Sequence, residues 1–170
     1  MPQGDAAACH TAVTAAELAC GMTTATAGAT PEFDLAAPLH TDDDVLRRVD
    51  LLLDDDARQL RSVVLLFLAA DGGQLPVVVP IDDVPERPDP MLVDSVCWVV
   101  AEALAQHAGA AAVIVLTRPG AGQPAEADVR WCRLLNLAAR RHRAAIRMVC
   151  LATPTGVRSL AQRPHPDTAG

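Results

Sequence analysis

Apolar residues first recur at helical spacing just after residue 40. Steps of three and four place them on one side of a helix, and Thr41 or Asp42 can cap its first turn. The recurring residues are Val45, Leu46, Val49, Leu52 and Leu53. The pattern predicts a helix that begins near residue 41. We interpret the acidic triplets at 42–44 and 54–56 as charge at the helix start and as a solvated loop, in preference to metal clusters.

The next pattern is that of a β-hairpin. Residues 62–69 (SVVLLFLA) are apolar and include two β-branched valines, an Asp-Gly-Gly turn follows at 71–73, and residues 75–81 (LPVVVPI) return. Pro76 and Pro80 cannot donate backbone hydrogen bonds to a neighbouring strand. The second strand is therefore predicted to be short or to lie at an edge of the sheet.

Helices and strands then alternate to the end of the pattern. Helices are predicted at about 90–107 and 125–143, strands at 111–116 (AAVIVL) and 146–152 (IRMVCLA), and a short final helix at 157–162. Continuous apolar strands between helices indicate a sheet that helices cover. The predicted fold class is therefore α/β, with a small mixed sheet made of the N-terminal β-hairpin and two further strands.

The domain organisation follows from where these patterns begin and end. Residues 1–40 consist mainly of Ala, Thr, Gly and Pro without a sustained period, which is typical of a disordered or loosely docked tail. Residues 41–162 are expected to form a single α/β domain, and residues 163–170 a C-terminal tail.

Composition indicates the cellular location of the protein but not its activity. Of the 170 residues, 51% are apolar and 2% aromatic, and all 14 basic residues are Arg. Five cysteines without a close pair predict neither a disulfide framework nor a zinc ribbon. The first basic residue is Arg47, so we expect no secretory signal, and no apolar run reaches the roughly 20 residues of a membrane span. We expect a cytoplasmic protein with no membrane partner.

Charge is distributed unevenly along the chain. Residues 1–90 hold 16 acids and 5 Arg, a net charge of −11, whereas residues 91–170 hold 5 acids and 9 Arg, a net charge of +4. This asymmetry favours self-association or an internal seam of ion pairs. Separately solvated acidic and basic surfaces are the alternative.

Two predicted helices carry the candidate interface. Trp98 lies about 40° from Asp94 around the first helix, inside the polar stripe of that helix. It is expected to be either a residue at the rim of the core or an anchor that contacts a partner. On the second helix, Leu137 shares a face with four arginines: Arg130, Arg133, Arg140 and Arg141. Asp128 lies on the opposite, apolar face, where it is expected to cap the helix or to serve a site.

Residues 111–160 also carry a family resemblance. An apolar strand, Pro119, a glycine-containing loop with Pro124, Asp128 opening a helix, and a later Ser159-Leu160 resemble the C-terminal part of the RadC-like branch of the JAB/MPN metalloprotease superfamily. The shared order of elements covers about residues 60–162. The resemblance implies an MPN-like fold and a zinc ion held by two His and one Asp, with an upstream Glu as general base.

The sequence departs from this family at the metal ligands. Leu116 and Arg118 stand at the two His positions, and neither side chain binds zinc, which needs three protein ligands here. Asp128 remains, and Glu86 is the nearest match to the upstream acid. The resemblance therefore implies a member without metal, and we expect no cofactor. The loop at 120–124 (GAGQP) falls short of a dinucleotide-binding fingerprint and is interpreted as a tight turn.

Three functional hypotheses follow. The first is a non-catalytic MPN-like scaffold or protein-interaction domain that forms homo-oligomers or binds an acidic partner, for which the chain's own acidic first half is one candidate. The second is an enzyme with an unrecognised site, in which Arg118 binds an anionic substrate beside Asp128. The third is nucleic-acid binding through the Arg-rich helix, against which stand the net charge of −7 and the scarcity of aromatic residues. The missing His pair favours the non-enzymatic hypothesis.

Overall fold

Three helices and five strands form one α/β unit in residues 37–160, which a computed structural model describes. The helices are α1 (Asp42–Leu52), α2 (Pro90–Leu104) and α3 (Glu126–His142), and a short 3-10 helix spans Ala57–Gln59. The strands are β1 (Ser62–Leu68), β2 (Gln74–Ile81), β3 (Ala111–Thr117), β4 (Ile146–Thr153) and β5 (Gly156–Ser159). The predicted α/β class is confirmed.

The five strands make one mixed sheet in the order β2-β1-β3-β4-β5. β1 runs antiparallel to both β2 and β3, and α3 connects the parallel pair of β3 and β4. β2 lies at an edge, as Pro76 and Pro80 predict, because an edge strand needs fewer backbone donors.

Helices cover both faces of the sheet. Leu65 and Ile114 point toward α2 and α3, whereas the neighbouring Leu66 and Val115 point toward α1. β1 and β3 are therefore buried on both sides, which explains their continuous apolar runs.

Packing begins a few residues before α1. Leu39 is only 4% exposed, and its N–H donates to the carbonyl oxygen of Gly72 at 2.8 Å. Thr41 and Asp44 then form a capping box, in which each side chain accepts from the other residue's backbone N–H. Residues 37–40 thus contact the domain, while the predictions for residues 1–36 and for 163–170 lie outside the described residues.

The predicted helix at 157–162 is wrong over the residues that the structure describes. The chain turns through Pro154 and Thr155, and Gly156 adopts a φ of +126° that favours glycine. β5 then returns antiparallel to β4, with Ser159 opposite Cys150. The apolar spacing of Val157 and Leu160 fits a helix, but the turn before it starts a hairpin. The sheet therefore has three strands beyond the N-terminal hairpin.

Candidate functional site

A buried ion pair lies where β3 ends and α3 begins. Arg118 follows the last residue of β3, Asp128 lies in the first turn of α3, and the two residues are 9% and 2% exposed. The guanidinium Nε lies 3.1 Å from Oδ1 of Asp128, and Nη2 lies 2.8 Å from its Oδ2. The structure thus brings together the two residues of the predicted anion or substrate site.

The remaining guanidinium hydrogens hold the loop between β3 and α3. Nη1 donates to the carbonyl oxygens of Pro119 and Ala121 at 3.1 and 3.0 Å, and Nη2 donates to that of Gln123 at 2.8 Å. An arginine side chain has five N–H donors, and these bonds together with Asp128 use all of them. An anionic substrate would therefore have to displace the carboxylate or a loop carbonyl before it could bind Arg118.

Asp128 has a second, structural role. Its Oδ2 also accepts the backbone N–H of Ala125 at 2.7 Å, at a helix start where the N-cap residue is an alanine without a polar side chain. An acceptor and a negative charge are both favourable at a helix N-terminus. This is the capping role that the sequence offered as one of two alternatives.

The glycine-containing loop is a tightly packed turn. Gly120 has a φ of +94°, and a Cβ on Gly122 would overlap the hydroxyl of Thr155 in the β4–β5 turn. Beside Gly122, therefore, the neighbouring hairpin fills the space that a phosphate group would need. This packing agrees with the tight-turn interpretation of residues 120–124.

The zinc chemistry of the resembled family does not fit the residues present. Leu116 is buried in the core and has no atom that could bind zinc. The guanidinium of Arg118 occupies the Asp128 carboxylate, which a zinc ion would need as a ligand. Glu86 is exposed, and its backbone oxygen accepts the indole N–H of Trp131 at 3.1 Å. Within residues 37–160, no three His, Cys, Asp or Glu side chains are grouped to hold a metal ion.

The three described cysteines have the environment of core residues. Cys97, Cys132 and Cys150 are all buried. Burial raises the pKa of the Cys97 thiol to about 11 and that of Cys150 to about 12. Because the thiolate is the reactive form, these side chains are poor nucleophiles near neutral pH.

The predicted interface residues lie on the outer surface of α2 and α3. Trp98 is 54% exposed and Leu137 is 48% exposed. Asp94 connects the helices, since its Oδ1 lies 3.0 Å from both Nη2 of Arg141 and Nε2 of His142. Trp98 is one turn beyond Asp94 and Leu137 one turn before Arg141, so both side chains belong to this surface. We call it the α2–α3 surface.

The arginines of this surface differ in their partners. Arg141 pairs with Asp94, whereas the other three predicted residues are exposed and form no ion pair within the described part of the chain: Arg130, Arg133 and Arg140. Sequence reasoning missed Met91 and Val129, which are 77% and 55% exposed. Met91 precedes Trp98 by two turns and Val129 precedes Arg133 by about one, so the same helical periodicity could have identified them.

A small cavity of about 200 Å³ lies at the side of the sheet, where β5 stops and β4 continues. Its walls come from Asn136 and Arg140 of α3, from the start of β4 and from Asp42. Arg147, which also lines it, donates to the carbonyl oxygen of His40 at 2.7 Å and lies 3.7 Å from Asp42. Of the two arginines that line the cavity, Arg147 already has a hydrogen-bond partner and a nearby carboxylate. The residues that line the cavity include no convergent set of catalytic groups.

Comparisons with protein families, curated sequences and solved structures find no match. No helix in residues 37–160 combines the length and the apolar character that crossing a membrane requires. Of the two candidate sites, the Arg118–Asp128 pair is internally hydrogen-bonded, whereas the side chains of the α2–α3 surface are exposed to solvent.

Proposed function

We propose that the chain is a non-catalytic, MPN-like protein-interaction domain that binds a partner through the α2–α3 surface. The observation that carries this proposal is the exposure of Trp98, with more than half of its surface uncovered on a helix whose other side is in the core. Trp and Arg are the residue types most enriched among those that dominate binding energy at protein interfaces. An exposed Trp next to unpaired arginines is therefore typical of an interface.

The contacts of the buried Arg118–Asp128 pair support a structural role for these two residues. Arg118 and Asp128 hydrogen-bond to each other, to the loop and to the start of α3. In the proposed relationship they stand at two of the positions that hold the metal in the resembled family. A catalytic base or an anion-binding group needs at least one free donor or acceptor directed at the substrate. The enzyme hypothesis gains no support from this pair.

The chemistry of the α2–α3 surface indicates an acidic partner. Arg130, Arg133 and Arg140 extend from α3 without ion pairs within residues 37–160, and guanidinium groups bind carboxylates in bidentate pairs. Trp98 and Leu137 add apolar contact area among these charges. The expected partner surface carries Asp or Glu around an apolar centre.

Photo-crosslinking inside cells tests this proposal. A photoreactive phenylalanine analogue replaces Trp98, and a control replaces Val77, which is also exposed but lies on the edge strand β2. We expect protein adducts at position 98 that disappear when Arg133→Glu and Arg140→Glu are combined. The matched control, Arg47→Glu with Arg87→Glu, makes the same charge change at exposed sites elsewhere and should leave the adducts intact.

Each other outcome decides against the proposal. Position 98 giving no more adducts than position 77 would mean that the surface binds nothing. Adducts that nuclease treatment removes would replace the protein partner with nucleic acid, and such binding should weaken steeply with salt. All four substitutions lie at exposed positions and should leave the fold intact. Arg140→Glu lies in the last turn of α3 and should lower the free energy of unfolding by up to about 1 kcal/mol through the helix dipole, whereas each of the others should change it by no more than about 0.5 kcal/mol.

A further inference from the structure

The outermost helices on the two faces of the sheet, α1 and α3, carry opposite net charge. α1 packs on the sheet through Val45 and Val49, whereas α3 packs on the opposite face through Leu135. The stretch 41–56 holds seven Asp and two Arg, a net charge of −5, and 126–143 holds five Arg and two acids, a net charge of +3. The sheet therefore separates the acidic α1 from the Arg-rich α3. Asp94 and Glu102 of the neighbouring α2 lower the net charge of residues 90–104 and 126–143 together to +1.

The acidic segment after α1 is locally unfavourable, and Arg58 connects it to the end of the helix. Three acids, Asp54 to Asp56, follow the C-terminal end of α1, where the helix dipole disfavours negative charge. Arg58 offsets this, because its guanidinium donates to the carbonyl oxygens of Asp50 and Leu53 and pairs with the Asp50 carboxylate at 3.0 Å. Proteins break local rules of this kind at functional or strained sites.

Each charged surface also has an apolar centre. Leu51 and Leu60, which are 53% and 56% exposed, lie among the acids of α1 and the segment that follows it. Trp98 and Leu137 occupy the corresponding position among the arginines of the α2–α3 surface. The acidic surface thus matches the partner that the basic surface requires in both charge and apolar content.

We propose that the acidic α1 surface of one copy of this chain binds the α2–α3 surface of a second copy, head to tail. The inference rests on the proposed function and names the partner of that same surface. A two-fold dimer through either surface alone would bring like charges together, which is unfavourable. Because the two surfaces lie on opposite faces, each copy uses both, and the assembly is open-ended.

The size of the surfaces sets the expected strength. α1 has 11 residues and is about 16 Å long, so the contact belongs to the small class of interfaces below about 1,200 Å². Such contacts are weak and transient, and the charges here are exposed. We therefore expect association that grows with protein concentration and decreases between about 0.05 and about 0.5 M salt, where screening shortens the range of the charges.

Sedimentation velocity on the full-length chain tests the proposal with two variants. One, Arg133→Gln with Arg140→Gln, neutralises the basic surface. The other, Asp43→Asn with Asp55→Asn, neutralises two exposed acids that take no part in helix capping. Amides are chosen because charge reversal on both sides would let the two altered surfaces attract each other.

Wild type should form a series of oligomers, and each variant alone should associate at least about tenfold more weakly. A mixture of the two variants should form heterodimers and nothing larger, because each variant retains one intact surface and these two surfaces are complementary. A two-fold dimer could not give this result. The proposal is overturned if wild type stays monomeric at every concentration, if either variant assembles like wild type, or if the mixture yields no dimer.

The two proposals fail in different ways. A monomeric wild type whose position 98 still cross-links to another protein would remove the self-association and leave the interaction domain standing. A monomeric wild type without adducts at position 98 would remove both. Oligomers that persist after Arg133 and Arg140 are neutralised would mean that copies associate through a different surface.

Discussion

At the scale of single residues, Arg118 is the residue whose role the sequence predicted least completely. Its position after β3 and the position of Asp128 in the first turn of α3 were enough to predict that they lie near each other. The loop that winds around the guanidinium was not predictable, because its carbonyl oxygens converge only through the backbone path of residues 119–124. Sequence patterns locate such charged residues, but the folded loop determines whether they are free.

Replacing Arg118 tests this structural role. Arg118→Ala leaves Asp128 buried with fewer partners and frees three loop carbonyls, so we expect the free energy of unfolding to fall by roughly 3–5 kcal/mol. Arg118→Lys should recover part of this loss, because an ammonium group offers three donors in place of five. Chemical denaturation measures both, and Arg87→Lys at an exposed site is the control. A near-wild-type Arg118→Ala would contradict the assignment and revive the anion-binding hypothesis.

At the scale of elements, the helices were predicted better than the last strand. α3 spans Glu126–His142 and was expected at about 125–143, because a long amphipathic pattern has one interpretation. β5 has four residues, too few to display a period, and Val157 and Leu160 fit a helix equally well. The informative signal was the Pro-Thr-Gly sequence directly after a strand, which favours a hairpin turn.

Arg58 provides a prediction about α1. Its guanidinium satisfies carbonyl oxygens at the helix C-terminus, and it is only 7% exposed. Arg58→Ala should therefore lower the free energy of unfolding by about 1.5–3 kcal/mol, the range for hydrogen bonds that involve a charged group. Hydrogen exchange should increase most in the last turn of α1. Arg47→Ala, at an exposed position on the same helix, should have little effect, and equal effects of the two changes would argue against the capping role.

At the scale of the whole molecule, the acidic α1 and the Arg-rich α3 lie on opposite faces of the sheet. The sequence predicted that an acidic and a basic half exist, but it could not assign them to opposite sides, because this depends on which face each helix covers. In the fold, α3 joins two neighbouring parallel strands and packs on one face, whereas α1 packs on the other. The proposed head-to-tail assembly is a consequence of this topology.

Global stability should also respond to alkaline pH in an unusually simple way. Between about pH 9 and pH 12 most proteins ionise Tyr and Lys, but this chain has no Tyr and all its basic residues are Arg, which stays protonated there. Cysteine is therefore the side chain that titrates in this window. Burial raises the pKa of Cys97 from 9.0 to about 11 and that of Cys150 to about 12 in the folded state.

The direction of the effect follows from which state holds the proton. Above pH 9 the unfolded chain loses thiol protons that the folded chain keeps, so ionisation favours unfolding. The contribution of the thiols should be constant well below pH 9 and should then fall by up to about 1.4 kcal/mol per pH unit for each buried thiol, until the folded thiols ionise near their own pKa. Urea unfolding across this range measures the slope. Cys97→Ala with Cys150→Ala should reduce the slope, and the remainder should come from Cys132, because burial raises the pKa of that thiol as well. An unchanged slope in this double variant would show that the alkaline loss does not originate in Cys97 and Cys150.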